Sequence, residues 1–180
     1  MYNRLVSDDC DEDTIGTVFK IGEFDPDLHP FFAAASIEHP PAGSESFLPF
    51  WDTNVRLLEF LIPEGVSIRQ SNQHLDPNYI FVLNNTGSFR GEERHEDSGD
   101  AKAVAEKLNW VYDPAPYMLG YYCQGSKMTL VAITASDTLA PNVDDLVTVD
   151  LRQRKDRIAN IRHMINIASV LPELARLARS

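Results

Sequence analysis

Short runs rich in Val, Ile, Phe and Tyr, bounded by Asn, Gly and Pro, predict five strands along this chain. The strands fall at 66–70, 75–83, 88–94, 117–123 and 128–132, and a shorter candidate lies at 17–21. The turns NNTG and QGSK join the second strand to the third and the fourth to the fifth. Each of these two pairs is therefore predicted to be an antiparallel hairpin.

Apolar residues at helical spacing predict helices around these strands, at 52–62, 101–112 and from about residue 151. Asp52 or Thr53 can cap the first helix, and Pro63 ends it. Pro172 breaks or restarts the last helix, and the stretch 134–145 reads as a loop. The order of helix, three strands, helix, two strands and helix predicts an α/β fold with a mixed five-stranded sheet.

Length and composition predict one domain. A chain of 180 residues with 43% hydrophobic side chains can bury a sizeable core. Residues 1–16 are acidic and have little to bury, so we expect a flexible N-terminus. Residues 17–180 then form a single domain, in which 151–180 is a C-terminal helical extension.

Charge is divided unevenly within the net value of −11. Nine basic and 25 acidic side chains precede Leu151, whereas seven basic and two acidic side chains follow from there on. An acidic surface repels a phosphate backbone, and sequence-independent affinity for nucleic acid comes mostly from basic contacts. The chain alone is therefore predicted to be a poor non-specific nucleic-acid binder, unless the basic tail or a partner domain contributes.

Cysteine usage and hydropathy bear on the compartment. Cys10 and Cys123 have no metal-ligand spacing, which favours buried or incidental thiols in a reducing environment. No apolar run approaches the roughly 20 residues of a membrane helix, and no signal peptide is visible at the start. We expect an intracellular location, in the cytoplasm or the nucleus, and no membrane partner.

The candidate chemistry lies on the first hairpin, in Asp76 and in the run Glu92-Glu93-Arg94. Alternation puts Glu92 and Arg94 on one face of their strand and Glu93 on the other. Asp76 opens the neighbouring strand and can meet Glu92 across the pair. Two carboxylates and a cation in one small space can hold a divalent metal ion and stabilise charge that develops on a phosphate.

This element order and this hairpin resemble the αβββαββ core, with a C-terminal helix, of the PD-(D/E)xK restriction-endonuclease-like fold. The segments DPNYIFVLN, FRGEER and PYMLGYYCQGSKMTLVAI are also similar to the nuclease-like module that precedes the kinase-like domain in Crinkler-type effectors of oomycetes and fungi. The resemblance implies that Asp76 and Glu92 are the metal-binding acids, for Mg²⁺ or Mn²⁺. It further implies a catalytic set of Asp76, Glu92, Arg94 and Glu59, the last supplied by the preceding helix.

Arg94 stands where the resemblance implies a lysine. Its guanidinium can stabilise developing charge, but it stays charged far above neutral pH and cannot transfer a proton. The sequence also has no Gly-rich loop, HRD or DFG motif, so the chain by itself is not a kinase.

Two hypotheses follow. The first is a nuclease-fold module with a degenerate active site, which acts as a binding, regulatory or dimerisation domain next to a kinase-like domain in the same or another chain. The second is an active Mg²⁺-dependent phosphodiesterase that cleaves DNA or RNA with Asp76, Glu92 and Arg94. The acidic body and the arginine favour the first, and the acid pair favours the second. A homodimer is compatible with both.

Overall fold

The computed structural model describes residues 26–37, 47–69, 79–94, 115–137 and 141–178. Its elements are, in chain order, a 3₁₀ turn Pro26–Leu28, α1 His29–Ser36, α2 Leu48–Val55, α3 Leu57–Leu61, β1 Val66–Arg69, β2 Tyr79–Leu83, β3 Thr86–Arg94, β4 Met118–Gln124, β5 Lys127–Thr134, β6 Asn142–Asp150 and α4 Arg154–Leu177. The predicted strand at 17–21 and the predicted helix at 101–112 lie outside the described residues.

The six strands form one mixed sheet in which each strand lies beside its neighbours in sequence. Every neighbouring pair is antiparallel except β3 and β4, which run parallel. A parallel pair cannot be joined by a tight turn and needs a crossover of a dozen or more residues. The connection from Arg94 to Met118 is long enough for this. The predicted α/β class with a mixed sheet is confirmed.

Turn chemistry fixes the two hairpins. Asn84 and Asn85 both have positive φ, 55° and 61°, which is the backbone of a type I′ turn and suits asparagine. Gly125, in the turn between β4 and β5, also has a positive φ of 56°. Both hairpins were predicted from these residues and are confirmed.

All four helices cover one face of the sheet. Their apolar residues and those of the strands form the main core, with Trp51, Phe81, Phe89 and Met164 almost fully buried. The opposite face carries a second, smaller cluster made of Met118, Tyr122, Val131 and Ile133. We call the first the helix-covered face and the second the opposite face. No helix in the described ranges is long and apolar enough to span a membrane.

The sixth strand corrects the prediction of a five-stranded sheet. Residues 134–145 read as a loop, but β6 covers Asn142–Asp150 and pairs along β5. Asn and Asp are depleted in strands, and most side chains of β6 are exposed because it lies at the sheet edge. Only Val149 is buried, so hydrogen bonding to β5 defines this strand more than its apolar pattern does.

Two helix boundaries also differ from the prediction. The helix predicted at 52–62 is divided into α2 and α3, and α2 begins at Leu48 because Pro49 suits a first turn and Phe50 and Trp51 are buried in the core. Asp52 and Thr53 therefore lie inside α2 and do not cap it. Helix α4 continues through Pro172 to Leu177. Its buried residues beyond the proline keep the last turns against the sheet.

We predict that Pro172→Ala raises the free energy of unfolding by about 1–2 kcal/mol. Alanine restores a backbone donor inside the helix, worth up to about 3 kcal/mol, and the lost rigidity of the unfolded chain offsets part of this gain. Urea denaturation followed by tryptophan fluorescence measures the change, with Lys155→Ala on the same helix as a control. A lower stability of Pro172→Ala would mean that the proline is needed by the packing around it.

Candidate functional site

The end of β3 separates two neighbouring glutamates onto the two faces of the sheet. In the parallel pair of β3 and β4, Glu93 lies beside Cys123 and Glu92 beside Tyr122. Cys123 belongs to the main core and Tyr122 to the smaller cluster. Glu93 is therefore on the helix-covered face and Glu92 on the opposite face, as strand alternation requires.

On the helix-covered face, Arg69 bridges two carboxylates. Its Nη1 lies 2.6 Å from Glu93 Oε2 and its Nη2 lies 3.1 Å from Glu93 Oε1, so this pair is bidentate. The Nε of Arg69 donates to Asp52 Oδ1 at 2.6 Å, and Nη2 lies 2.5 Å from the same oxygen. One guanidinium thus joins α2, β1 and β3.

Tyr121 completes this group, and we call Asp52, Arg69, Glu93 and Tyr121 the Arg69 cluster. The hydroxyl of Tyr121 donates to Glu93 Oε1 at 2.5 Å. The ring of Tyr121 lies directly over Gly91, where an added Cβ would overlap it. Glycine at this position therefore lets the tyrosine cross β3 and reach the glutamate two residues further along.

Burial and charge shift the pKa values of Arg69 and Tyr121. The side chain of Glu93 is 5% exposed, and those of Asp52 and Arg69 are 21% and 23% exposed. Burial alone lowers the pKa of Arg69, but the hydrogen bond and charge of Glu93, with further charge from Asp52, raise it above its ordinary value. Burial, and then the charge of Glu93, raise the pKa of Tyr121 well above its ordinary value. The arginine therefore stays charged and the phenol stays a donor.

A second group of polar contacts lies next to the cluster. The hydroxyl oxygens of Ser67 and Tyr79 are 2.6 Å apart, and Arg69 lies over the Tyr79 ring at 5.5 Å from its centroid. Glu59 accepts the backbone N–H of Ser67 at 3.2 Å. These contacts attach the edge strand β1 to α3 and β2.

The predicted site residues lie in different places. Asp76 is outside the described residues, so its meeting with Glu92 stays a prediction. Glu92 is 4% exposed on the opposite face, and Arg94 is half-buried at the end of β3. Glu59 is on α3, which covers the other face. The structure therefore does not bring Glu59 and Glu92 together, because the sheet lies between them.

Asp52, Arg69 and Glu93 are the residues that the sequence analysis missed. Asp52 was interpreted as a helix cap, and Glu93 was noted only as facing away from Glu92. One signal was available, because Glu93 shares its strand face with Phe89, and an aromatic residue four positions away on the same strand indicates an inward-facing side. The partners of Glu93 could not be inferred in this way, since Arg69 is 24 residues distant in sequence.

With Arg69 in place, the carboxylates of the cluster do not fit a divalent metal ion. Mg²⁺ requires about six oxygen ligands in near-octahedral geometry. Arg69 already binds three of the four carboxylate oxygens of Asp52 and Glu93, and its positive charge would repel the ion. Among the residues that the structure describes, no three His, Cys, Asp or Glu side chains form a group that could hold a metal.

Comparison of the chain with protein-family models, with curated proteins and with solved structures found no match.

We predict strong coupling between Arg69 and Glu93 in a double-mutant cycle. Arg69→Met leaves a buried carboxylate without its cation, which should cost about 3–5 kcal/mol of unfolding free energy. Adding Glu93→Gln removes the stranded charge, so the double variant should be more stable than Arg69→Met alone. The measurement is urea denaturation of the four proteins.

The exposed pair of Glu173 and Arg176 on α4 is the matched control for this cycle, because its partners are 61% and 65% exposed. We expect no measurable coupling there. Additive effects at Arg69 and Glu93 would contradict the view that the cluster is a single charged unit.

Proposed function

We propose that this chain is a nuclease-fold module with a degenerate active site, which acts as a binding, regulatory or dimerisation domain beside the kinase-like domain of a Crinkler-type protein. The observation that carries the proposal is Arg69, whose guanidinium binds Asp52 and Glu93 at the end of β3. These two carboxylates are therefore paired with a protein cation, and with Arg69 in place they do not fit a divalent metal ion.

The topology supports the fold part of this proposal. A helical segment precedes three antiparallel strands, a long connection leads to a fourth strand parallel to the third, and the fifth strand turns back. This succession of strands is the one expected of the αβββαββ core that the resemblance implies, whose second helix lies outside the described residues. The sixth strand and α4 are then additions after that core.

The protonation chemistry favours binding over cleavage. A phosphodiesterase needs a group that activates water, and an arginine cannot accept a proton at neutral pH. The cation next to Glu93 in sequence is Arg94, and the cation that binds Glu93 in the Arg69 cluster is Arg69, so both are arginines. Hydrogen bonding to Glu93 raises the pKa of Arg69 further, against the effect of burial.

The burial of Glu92 also argues against cleavage of a phosphodiester there. Only 4% of this residue is exposed, so a phosphate group could not reach its carboxylate without rearrangement. The acidic charge of the first 150 residues lowers the local concentration of nucleic acid around the domain. Both facts favour a role in which a protein surface, and not a phosphodiester, is recognised.

We predict that the purified chain does not nick supercoiled plasmid in the presence of Mg²⁺ or Mn²⁺ above the background of its Glu92→Ala variant. Arg94→Lys, which supplies the lysine of the nuclease pattern, should also stay at background, because it leaves Arg69 and the burial of Glu92 unchanged. Gel electrophoresis of the plasmid forms measures the result.

Metal-dependent nicking by the unmodified chain that Glu92→Ala abolishes would contradict this proposal and favour an active phosphodiesterase. Nicking only in Arg94→Lys would mean that the arginine at this position is the single defect of the site. A known endonuclease in the same buffers controls for the plasmid and the metal.

A further inference from the structure

A groove lies between α1 and the consecutive helices α2 and α3. Its volume is about 410 Å³, which is within the range of small-molecule sites. Pro30, Ala33, Leu57 and Phe60 form an apolar wall, and Arg56 and Glu59 supply the charges. Phe60 is 36% exposed and meets Phe31 edge to face at 5.5 Å, so part of its ring is open to the groove.

The turn between α2 and α3 puts the two charges on one side of the chain. The backbone N–H of Glu59 donates to Arg56 O at 3.1 Å, which is a three-residue hydrogen bond. In such a tight turn, residues i and i+3 lie one above the other. Arg56 and Glu59 are therefore stacked along the same wall of the groove.

Arg56 and Glu59 each already make one contact with another residue of the chain. Arg56 Nε lies 3.8 Å from Asp52 Oδ1, a long contact for a side chain that is 60% exposed. Glu59 accepts the backbone N–H of Ser67 at 3.2 Å. A weak surface ion pair of this kind contributes little to stability, so exchanging it for a ligand contact costs little.

We propose that this groove binds a small zwitterion with an apolar side chain, namely a free α-amino acid such as phenylalanine or leucine. Arg56 receives the carboxylate through its forked donors, Glu59 receives the ammonium group, and Phe60 with Leu57 contacts the side chain. The two groups of an α-amino acid are joined through one carbon, which suits two charges stacked one turn apart.

Charge complementarity favours a zwitterion over a simple anion, a simple cation or a neutral apolar molecule. A simple anion would pair with Arg56 but be repelled by Glu59 beside it. A simple cation would pair with Glu59 but be repelled by Arg56. A neutral apolar molecule would cover both charges without pairing either, and the desolvation of charged groups is unfavourable unless they are paired. Only a ligand with both charges pairs with Arg56 and with Glu59 and also covers the apolar wall.

The test is isothermal titration of the full chain with L-phenylalanine and with two matched probes, phenylalaninamide and N-acetylphenylalanine. Saturable binding of phenylalanine is expected at concentrations up to about 10 mM. The amide lacks the carboxylate and the acetyl compound lacks the ammonium group, so each should bind at least about fivefold more weakly, the effect of losing one partly exposed charged contact.

Variants locate the site. Arg56→Gln should lower the affinity for phenylalanine at least about fivefold and leave the affinity for phenylalaninamide unchanged. Glu59→Gln should lower the affinity for phenylalanine by the same factor and leave the affinity for N-acetylphenylalanine unchanged. Arg176→Gln and Glu173→Gln, at an exposed pair with the same three-residue spacing but no groove, should leave every probe unchanged. Thermal melting of each variant checks that it is folded.

Three results would overturn the proposal. The first is no saturable binding of phenylalanine or leucine over this range. The second is equal affinity for the acetyl compound, which would indicate recognition of a chain end in place of a free amino acid. The third is equal weakening by the α4 control variants, which would indicate a general charge effect.

Discussion

The carboxylate of Glu93 is almost fully buried at the end of β3, and a buried carboxylate is stable only when it is paired and hydrogen-bonded. Arg69 provides the charge and Tyr121 provides a further donor. Because Arg69 also binds Asp52, this one requirement fixes the edge strand β1 and helix α2 relative to the centre of the sheet. The register of β1 and the packing of α2 therefore depend on the same guanidinium.

The Arg69 cluster also determines what the helix-covered face can do. An arginine that bridges two acids offsets one of their two negative charges and uses the donors that a phosphate would need. Its raised pKa keeps it charged, although burial opposes this. Both carboxylates take part in the ion pairs that join α2, β1 and β3. The groove lined by Arg56 and Glu59 adjoins this cluster, since Arg56 contacts Asp52, but this contact is long, at 3.8 Å, and Arg56 is 60% exposed.

Local chemistry in the sequence predicts part of this structure. The Asn84-Asn85 turn and the β-branched runs beside it predict the first hairpin, and alternation separates Glu92 from Glu93. The sequence does not show which face of β3 the helices cover, because that depends on contacts between residues far apart, such as Asp52 and Arg69. Strand β6 and the start of α2 were missed for a related reason, since pairing to β5 and burial of Trp51 override weak local preferences.

The central claim is that Arg69, and not a metal ion, pairs with both Asp52 and Glu93. The most direct test is a crystal structure of the chain soaked with Mn²⁺, with anomalous scattering data collected to locate the ion, and the same soak for Arg69→Gln, which removes the charge but keeps a donor. We predict no anomalous peak between the two carboxylates in the unmodified chain, with Arg69 bound to both, and a peak there in the variant. A peak in the unmodified chain, with Arg69 displaced, would contradict the account.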